Sequence, residues 1–139
     1  MARVLVVDDD PDVVEACRLY LEKQGHQVAG AFNRAQAMQE IRSFKPELVI
    51  LDIMMEQPDD GLVMAQDLRR EGFQAPIVML TSIGRVTGLE YGEDKEIVPV
   101  EVFLEKPVEA RTLVRVVEEQ LAKKPGAPPK KPNAKKKEG

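Results

Sequence analysis

The chain contains a single cysteine and no long apolar run, and both features exclude whole classes of protein. Because Cys17 is the only cysteine, no disulfide can form within the chain, which favours a cytoplasmic setting. No run approaches the roughly 18 consecutive apolar residues of a membrane-spanning helix. The N-terminus lacks the charged, apolar and cleavable segments of a signal peptide. We therefore expect a cytoplasmic protein without a membrane span.

The charge is unevenly distributed along the 139 residues. From Lys123 onward there are seven lysines and one glutamate, a net charge of +6. The preceding residues carry thirteen basic and twenty-three acidic side chains, a net charge of -10. An acidic globular part argues against a nucleic-acid-binding core. With 43% hydrophobic residues, one domain over residues 1–122 can form a core of its own.

The basic segment, residues 123–139, interleaves lysine with proline and has no apolar stripe, so we expect a disordered tail. Its composition suits a solubilising tail or the remnant of a truncation. It also suits an electrostatic anchor for an acidic partner, nucleic acid or an anionic membrane. Without aromatic residues it offers no stacking platform for sequence-specific recognition of nucleic acid. Association with the acidic part of its own chain is a further alternative.

Short apolar runs alternate with segments of helical spacing, which predicts an α/β protein with a doubly wound parallel sheet and helices on both faces. The predicted strands are Arg3 to Val7, Gln27 to Ala31, Leu48 to Leu51, Ile77 to Leu80 and Glu101 to Leu104. Helices are predicted between Pro11 and Gly25, from an Asn33 cap through Ile41, from about Gly61 to Glu71, and from about Glu109 to Leu121. In such sheets ligands bind at the carboxyl ends of the strands.

The connection between the fourth and fifth predicted strands departs from this pattern. It contains Gly84, Gly88, Gly92 and Pro99, with poor apolar spacing. Glycine costs about 1 kcal/mol at a helix position. We therefore expect that the fourth helix of the fold is short or replaced by a loop.

Polar residues of complementary chemistry follow four of the predicted strands. Asp8 and Asp9 follow the first, Asp52 ends the third, Thr81 ends the fourth and Lys106 follows the fifth. Three carboxylates in one crevice repel each other unless a cation binds between them. Mg²⁺ is a hard cation that prefers oxygen ligands, including those of phosphate groups. A hydroxyl and an ammonium group beside them would supply a hydrogen-bond donor and a positive charge for a phosphoryl group.

Each of these residues alone has an ordinary explanation. Asp8 to Asp10 could be an acidic cluster that the dipole of the first helix favours. Thr81 could be a strand-end hydroxyl, and Lys106 an exposed lysine before Pro107. Only the conjunction at four strand ends makes a phosphoryl site the better interpretation.

The sequence resembles the receiver domain of two-component response regulators, from Ala2 to about Leu121. The segments that carry the resemblance are Val-Leu-Val-Val-Asp8-Asp9-Asp10-Pro11, Leu-Val-Ile-Leu-Asp52-Ile-Met-Met, Ile-Val-Met-Leu-Thr81-Ser82 and Phe103-Leu-Glu-Lys106-Pro107. The resemblance implies a flavodoxin-like fold with strand order 2-1-3-4-5. It also implies a signalling switch rather than an enzyme, with self-phosphotransfer and autodephosphorylation as its only chemistry.

The resemblance further implies the roles of the site residues. Asp52 would attack a phosphohistidine of a sensor histidine kinase or phosphotransfer protein. Asp9, Asp52 and the backbone carbonyl of Met54 would hold Mg²⁺, with Asp8 acting through water. An unknown downstream protein would receive the signal, and homodimerisation is left open. The chain contains no recognisable DNA-binding domain.

In this scheme Lys106 would pair with Asp52 and then with the phosphoryl oxygens. Thr81 would move to donate a hydrogen bond to the phosphoryl group, and Phe103 would turn inward on activation. The Lys106–Pro107 peptide bond would be cis, which X-Pro bonds tolerate.

The sequence departs from the family pattern in the loop after Asp52. Pro58 is displaced and Gly61 follows nine residues after Asp52 instead of eight, a one-residue insertion beside the site. The 25 positions from Thr81 to Lys106 also exceed the usual number. The partner-binding surface is therefore expected to be atypical.

Two other functions fit part of the pattern. A phosphohydrolase of the haloacid dehalogenase type would use Asp8 and Asp10 as its Asp-x-Asp motif, with Thr81 and Lys106. That interpretation lacks a later acidic pair and a cap, and leaves Asp52 unexplained. The third alternative is a receiver-like protein-binding module that works without phosphorylation. His26 lies near a predicted strand start, and we interpret it as structural.

Overall fold

The computed structural model describes residues 2–55, 60–82 and 100–123. Its strands are β1 (Arg3–Val7), β2 (Gln27–Ala31), β3 (Leu48–Asp52), β4 (Ile77–Ser82) and β5 (Val102–Lys106). Its helices are α1 (Pro11–Glu22), α2 (Arg34–Ser43), α3 (Asp60–Arg70) and α4 (Ala110–Leu121). The helix or loop expected over residues 84–99, Pro58 and the tail beyond Lys123 lie outside the described residues.

The five strands form one parallel sheet in the order β2-β1-β3-β4-β5, which confirms the predicted fold class and strand order. Side chains alternate between the two faces of each strand. On β1, Leu5 and Val7 join a core with α2 and α3, whereas Val4 and Val6 join a second core with α1 and α4. Helices therefore cover both faces, and β3 is buried along its whole length.

The helix starts follow local capping chemistry. Asp10 caps α1 by accepting a hydrogen bond from the backbone N–H of Asp12 at 2.9 Å, and Pro11 occupies the first helical position. Asn33 caps α2 in the same way and accepts from the N–H of Gln36 at 2.9 Å. The predicted Asn33 cap is confirmed.

His26 is buried at the amino ends of the strands, on the side of the sheet away from the carboxyl ends. Its Nδ1 accepts from the backbone N–H of Ala2 at 3.0 Å, and its Nε2 lies 2.8 Å from a carboxylate oxygen of Glu118 on α4. Both ring nitrogens are thus used to join β1, the start of β2 and α4, in line with a structural role. No helix among the described residues is long and apolar enough to cross a membrane.

Candidate phosphoryl and metal site

Three carboxylates meet at the carboxyl edge of the sheet. Asp8 directly follows β1, Asp9 comes next, and Asp52 is the last residue of β3. One oxygen from each lies within 4.8 Å of the others. Asp8 and Asp52 are buried, while Asp9 is exposed at the mouth of the site. Parallel β1 and β3 are neighbours, so residues 44 positions apart in the chain are brought together.

Lys106, the last residue of β5, extends its ammonium group between the two buried carboxylates. Its Nζ lies 2.8 Å from Oδ2 of Asp8 and 3.3 Å from Oδ1 of Asp52. The other oxygen of Asp8 accepts from the backbone N–H of Asp10 at 2.9 Å, and Asp52 Oδ1 accepts weakly from Met54 N–H at 3.4 Å. Two buried negative charges therefore share one cation.

Burial and the neighbouring charges together set the protonation of Asp52 and Lys106. Burial raises the pKa of Asp52 to about 6, the negative charge of Asp8 adds to this shift, and Lys106 opposes it. Burial works against the charged form of Lys106, but the hydrogen bonds and charges of Asp8 and Asp52 outweigh it and raise its pKa. The lysine stays protonated, and the site carries an uncompensated negative charge that attracts further cations.

Thr81 supplies a hydroxyl beside the acidic cluster. It pairs with Glu105 across β4 and β5, one residue beyond the level at which Leu80 pairs with Asp52. Its Oγ1 is buried and forms no hydrogen bond within the described part of the chain. A buried hydroxyl without a partner costs free energy, so this group is available to an incoming acceptor. Phe103 on β5 pairs with Met79 and is half-buried against the core of α2 and α3.

Gly61 touches the backbone of the predicted phosphoacceptor, a relationship that sequence reasoning missed. Its N–H donates to the carbonyl of Ile53 at 2.9 Å. A Cβ at this position would lie 1.9 Å from the carbonyl oxygen of Asp52, so no side chain fits. The sequence identified Gly61 only as the marker of an insertion. A glycine in the first turn of a predicted helix, directly after the site loop, is the signal that could have indicated a close approach.

The donor set suits a hard divalent cation. Carboxylate oxygens from Asp8, Asp9 and Asp52 face one point, and the loop at Met54 follows directly. Mg²⁺ prefers oxygen ligands and is bound through few carboxylates, with water and phosphate oxygens completing its shell. The partly exposed mouth at Asp9 allows such a shell. Asp10 is exposed and serves as the helix cap, so the Asp-x-Asp arrangement of a phosphohydrolase is not formed among the described residues.

The peptide bond between Lys106 and Pro107 is cis. The sequence-predicted residues Asp8, Asp9, Asp52, Thr81 and Lys106 thus all lie at one edge of the sheet, at the ends of β1, β3, β4 and β5. Phe103 lies on β5 farther from that edge, and Met54 lies in the loop beside Asp52.

Comparison with known proteins agrees with this geometry. The family model for the response regulator receiver domain matches residues 4–118. A probable transcriptional regulator ycf27 of Pyropia yezoensis is 39% identical over 113 residues, which cover 78% of this chain and 45% of that protein. The alkaline phosphatase synthesis transcriptional regulatory protein PhoP of Bacillus subtilis is 34% identical over 96 residues, covering 66% of this chain and 40% of the relative. The chain therefore spans about half the length of these curated relatives or less.

Among solved structures, the receiver domain of NtrX from Brucella abortus superposes with a TM-score of 0.77. It is 30% identical, and the match covers 87% of this chain and 99% of that domain. The similarity thus extends over nearly the whole of a single domain.

Proposed function

The chain belongs to the response regulator receiver domain family, and on that premise we propose that it is a phosphoacceptor switch in which Asp52 receives the phosphoryl group. The donor is a phosphohistidine of a sensor histidine kinase or phosphotransfer protein. The observation that carries the proposal is the placement of Lys106 Nζ between Asp8 and Asp52. Thr81, near the end of the neighbouring strand β4, adds a buried hydroxyl that has no hydrogen-bond partner among the described residues. Receiver domains are generally signalling modules rather than enzymes, and we propose the same for this chain.

In the transfer step, a carboxylate oxygen of Asp52 attacks the phosphorus atom in line with the P–N bond of the donor. The O–P bond forms as the P–N bond breaks, and the donor imidazole keeps the electron pair and takes up a proton. Catalysis of such a step depends on position and on charge neutralisation. Lys106 supplies one fixed positive charge beside the attacked group, and the backbone contact of Gly61 fixes the peptide that carries Asp52.

Asp8, Asp9, Asp52 and the backbone carbonyl of Met54 are the groups that would hold Mg²⁺. When bound, the ion supplies positive charge that offsets repulsion between the phosphoryl oxygens and the carboxylates. Because Lys106 leaves this group of three carboxylates net negative, the need for a second cation follows from the side chains themselves.

After transfer, the phosphoryl oxygens are acceptors close to the end of β4. The Thr81 hydroxyl then donates a hydrogen bond to one of them, and its displacement leaves space toward which Phe103 turns. The surface at β4 and β5 thereby exists in two arrangements that a partner protein distinguishes. Attack of water on the acyl phosphate releases phosphate and restores the carboxylate.

The proposal is tested by incubating the protein with Mg²⁺ and acetyl phosphate and measuring intact mass. We expect a gain of one phosphoryl group, which a chelator prevents and which Asp52→Ala lacks. Asp12→Ala is the matched control, since Asp12 is an exposed carboxylate on α1 near the same edge. No adduct on folded protein at short times would instead favour a binding module that works without phosphate. An adduct retained in Asp52→Ala and lost in Asp8→Ala would support the phosphohydrolase alternative.

A further inference from the structure

One carboxylate joins the amino ends of β4 and β5, at the edge of the sheet opposite the phosphoryl site. Glu101, the residue before β5, accepts a hydrogen bond at Oε1 from the backbone N–H of Ile77, the first residue of β4, at 2.8 Å. The backbone N–H of Glu101 donates to the Ile77 carbonyl at 3.0 Å. The two residues are therefore bonded to each other through both side chain and backbone.

Arg69 on α3 holds the same carboxylate from a third side. Its Nη2 donates to Oε1 of Glu101 at 2.9 Å, and its Nη1 donates to the carbonyls of Phe73 and Ala75 at 2.8 and 2.9 Å. A guanidinium group is planar, so these bonds fix its orientation as well as its position. The Glu101 carboxylate is thereby held at a fixed point relative to α3 and the start of β4.

β5 is the strand whose register depends least on burial. It lies at the edge of the described sheet, beside β4 alone, and none of its five residues is fully buried. β3, by contrast, lies between β1 and β4 and is buried along its whole length. A slip of a buried strand moves its apolar side chains out of the core, whereas a half-buried edge strand loses fewer such contacts. A bond at the end of β5 therefore contributes more to its register than it would for a central strand.

The register of β5 determines where Lys106 lies. Lys106 follows Glu101 by five positions, which is about 17 Å at about 3.3 Å per residue. A slip by one residue would turn its side chain to the other face, and a slip by two would displace it by about 7 Å. Either slip would break the contacts of Nζ with Asp8 at 2.8 Å and Asp52 at 3.3 Å. We propose that Glu101, held by Arg69, is a positioning residue that keeps Lys106 between the two carboxylates.

A similar pair of bonds between β1 and β3 offers a matched control. Glu47, the residue before β3, accepts at Oε1 from the backbone N–H of Arg3, the first residue of β1, at 2.9 Å. The Glu47 backbone N–H donates to the Arg3 carbonyl at 2.7 Å. Both strands are interior to the sheet and buried almost throughout, so burial fixes their register. Removal of the Glu47 side chain should therefore leave the site residues in place.

The placement is tested by NMR on protein labelled with ¹³C at the lysine Cε, where the Lys106 signal is identified by its absence from Lys106→Arg. In Glu101→Ala we expect this signal to move toward those of exposed lysines, because Nζ loses its carboxylate contacts. Glu101→Gln keeps an oxygen that accepts from Ile77 and Arg69, so its signal should stay near the native position. A native position in Glu101→Ala, or an equal displacement in Glu47→Ala, would overturn the proposal.

The consequence for phosphoryl transfer rests on the function proposed above. With acetyl phosphate and Mg²⁺, the rate of phosphorylation should fall about 10- to 100-fold in Glu101→Ala, the loss expected when a charged group beside the reacting atoms is displaced by about 1 Å or more. Glu101→Gln and Glu47→Ala should react at close to the native rate. Equal rates in the native protein and Glu101→Ala would overturn the positioning role.

Failure of this inference is distinguishable from failure of the proposed function. If the native protein gains no phosphoryl group, the function proposed above is wrong, and the Lys106 signal alone decides the placement. Glu101→Asp keeps the charge but shortens the side chain by one methylene group, so its oxygen is withdrawn from Ile77. It should move the Lys106 signal in the same direction as Glu101→Ala, and it serves for both measurements if the alanine variant does not fold. An unmoved signal in Glu101→Asp would then contradict the proposal.

Discussion

Gly61 packs on the backbone of Asp52 so closely that a methyl group on Gly61 would lie 1.9 Å from the Asp52 carbonyl oxygen. The first turn of α3 is thereby held against the strand end that carries the predicted phosphoacceptor. The hydrogen bond from Gly61 N–H to the Ile53 carbonyl holds the same two segments together.

Gly61→Ala should therefore be strongly destabilising, because the added methyl group meets backbone that cannot rotate away. We expect the free energy of unfolding to fall by about 2–4 kcal/mol, as for severe overpacking. Urea denaturation measures the change. Val63→Ala on the same helix is the control, since Val63 is exposed and should change stability by about 0.5 kcal/mol or less. Equal effects of the two variants would refute the close contact.

The stability of the metal-free protein should fall as the pH rises toward neutrality. The pKa of Asp52 is raised to about 6 in the folded state, above its ordinary value, so the folded state binds the proton more tightly than the unfolded state. The unfolding free energy contributed by this group is then fully present at low pH and is lost as the pH rises to about 6. Asp52→Asn removes this loss and should stabilise the protein at pH 8 by about 1–3 kcal/mol, with a smaller gain at pH 5.

Urea denaturation in the presence of a chelator, at both pH values, tests this expectation. Asp67→Asn provides a control of opposite sign. Hydrogen bonds from Arg34 and Arg70 lower the pKa of Asp67, so its carboxylate stabilises the folded state at neutral pH and loses that effect in acid. A constant difference in the free energy of unfolding between Asp52→Asn and the native protein across this pH range would show that the pKa of Asp52 is not raised in the folded state.

Thr81→Val should leave the unphosphorylated protein as stable as the native one, or slightly more stable. The buried Oγ1 has no hydrogen-bond partner in the described part of the chain, so its replacement by a methyl group of similar size sacrifices no bond. We expect a change of about 0 to 1 kcal/mol in the stabilising direction. The same variant should still gain a phosphoryl group on Asp52 but show smaller chemical-shift changes at Phe103. A loss of stability above about 1 kcal/mol would mean that the hydroxyl is already bonded.

Cys17 should resist thiol reagents in the folded protein. Burial raises the pKa of its thiol to about 11, and the charge of Asp8 adds to the shift while Lys106 opposes it. Both the low thiolate fraction and the 1% exposure of the residue suppress reaction. Labelling with a maleimide at pH 8 should be slow in buffer, and complete with one thiol per chain in urea. Rapid labelling in buffer would indicate that α1 separates transiently from the core that buries Cys17.

Lys45→Gly should stabilise the protein, because Lys45 adopts a left-handed backbone conformation with φ 54°. An L-residue with a Cβ is disfavoured there, and glycine is not. Arg3 Nε also donates to the carbonyls of Phe44 and Lys45 at 3.0 and 3.1 Å, so the backbone is held in this conformation after α2. We expect a gain of about 0.5–1 kcal/mol by urea denaturation, the strain relieved less the conformational entropy that glycine loses on folding. Lys23→Gly, at an αR position, should be destabilising instead.

Much of the fold could be predicted from the sequence, because strands and helix caps are indicated by residues that are close together in the chain. The apolar runs predicted β1 and β2 with their observed bounds, and the Asn33 cap predicted the start of α2. The prediction for β5 began one residue early and ended two residues early at Leu104. A half-buried strand at the edge of the sheet, with Glu105 exposed, does not give a continuous apolar run. Strand ends differ from helix caps in having no local chemistry that terminates them.

By itself the sequence determined which chemical groups stand at the ends of which strands, and a parallel sheet of known order then requires them to share one edge. Only the tertiary structure decided how they meet there. It placed Lys106 between Asp8 and Asp52, and it set Gly61 against the backbone of Asp52. It also left the Thr81 hydroxyl without a hydrogen-bond partner among residues 2–55, 60–82 and 100–123. Such contacts depend on ångström-level distances between segments far apart in the chain, because packing and burial fix them while residue spacing does not.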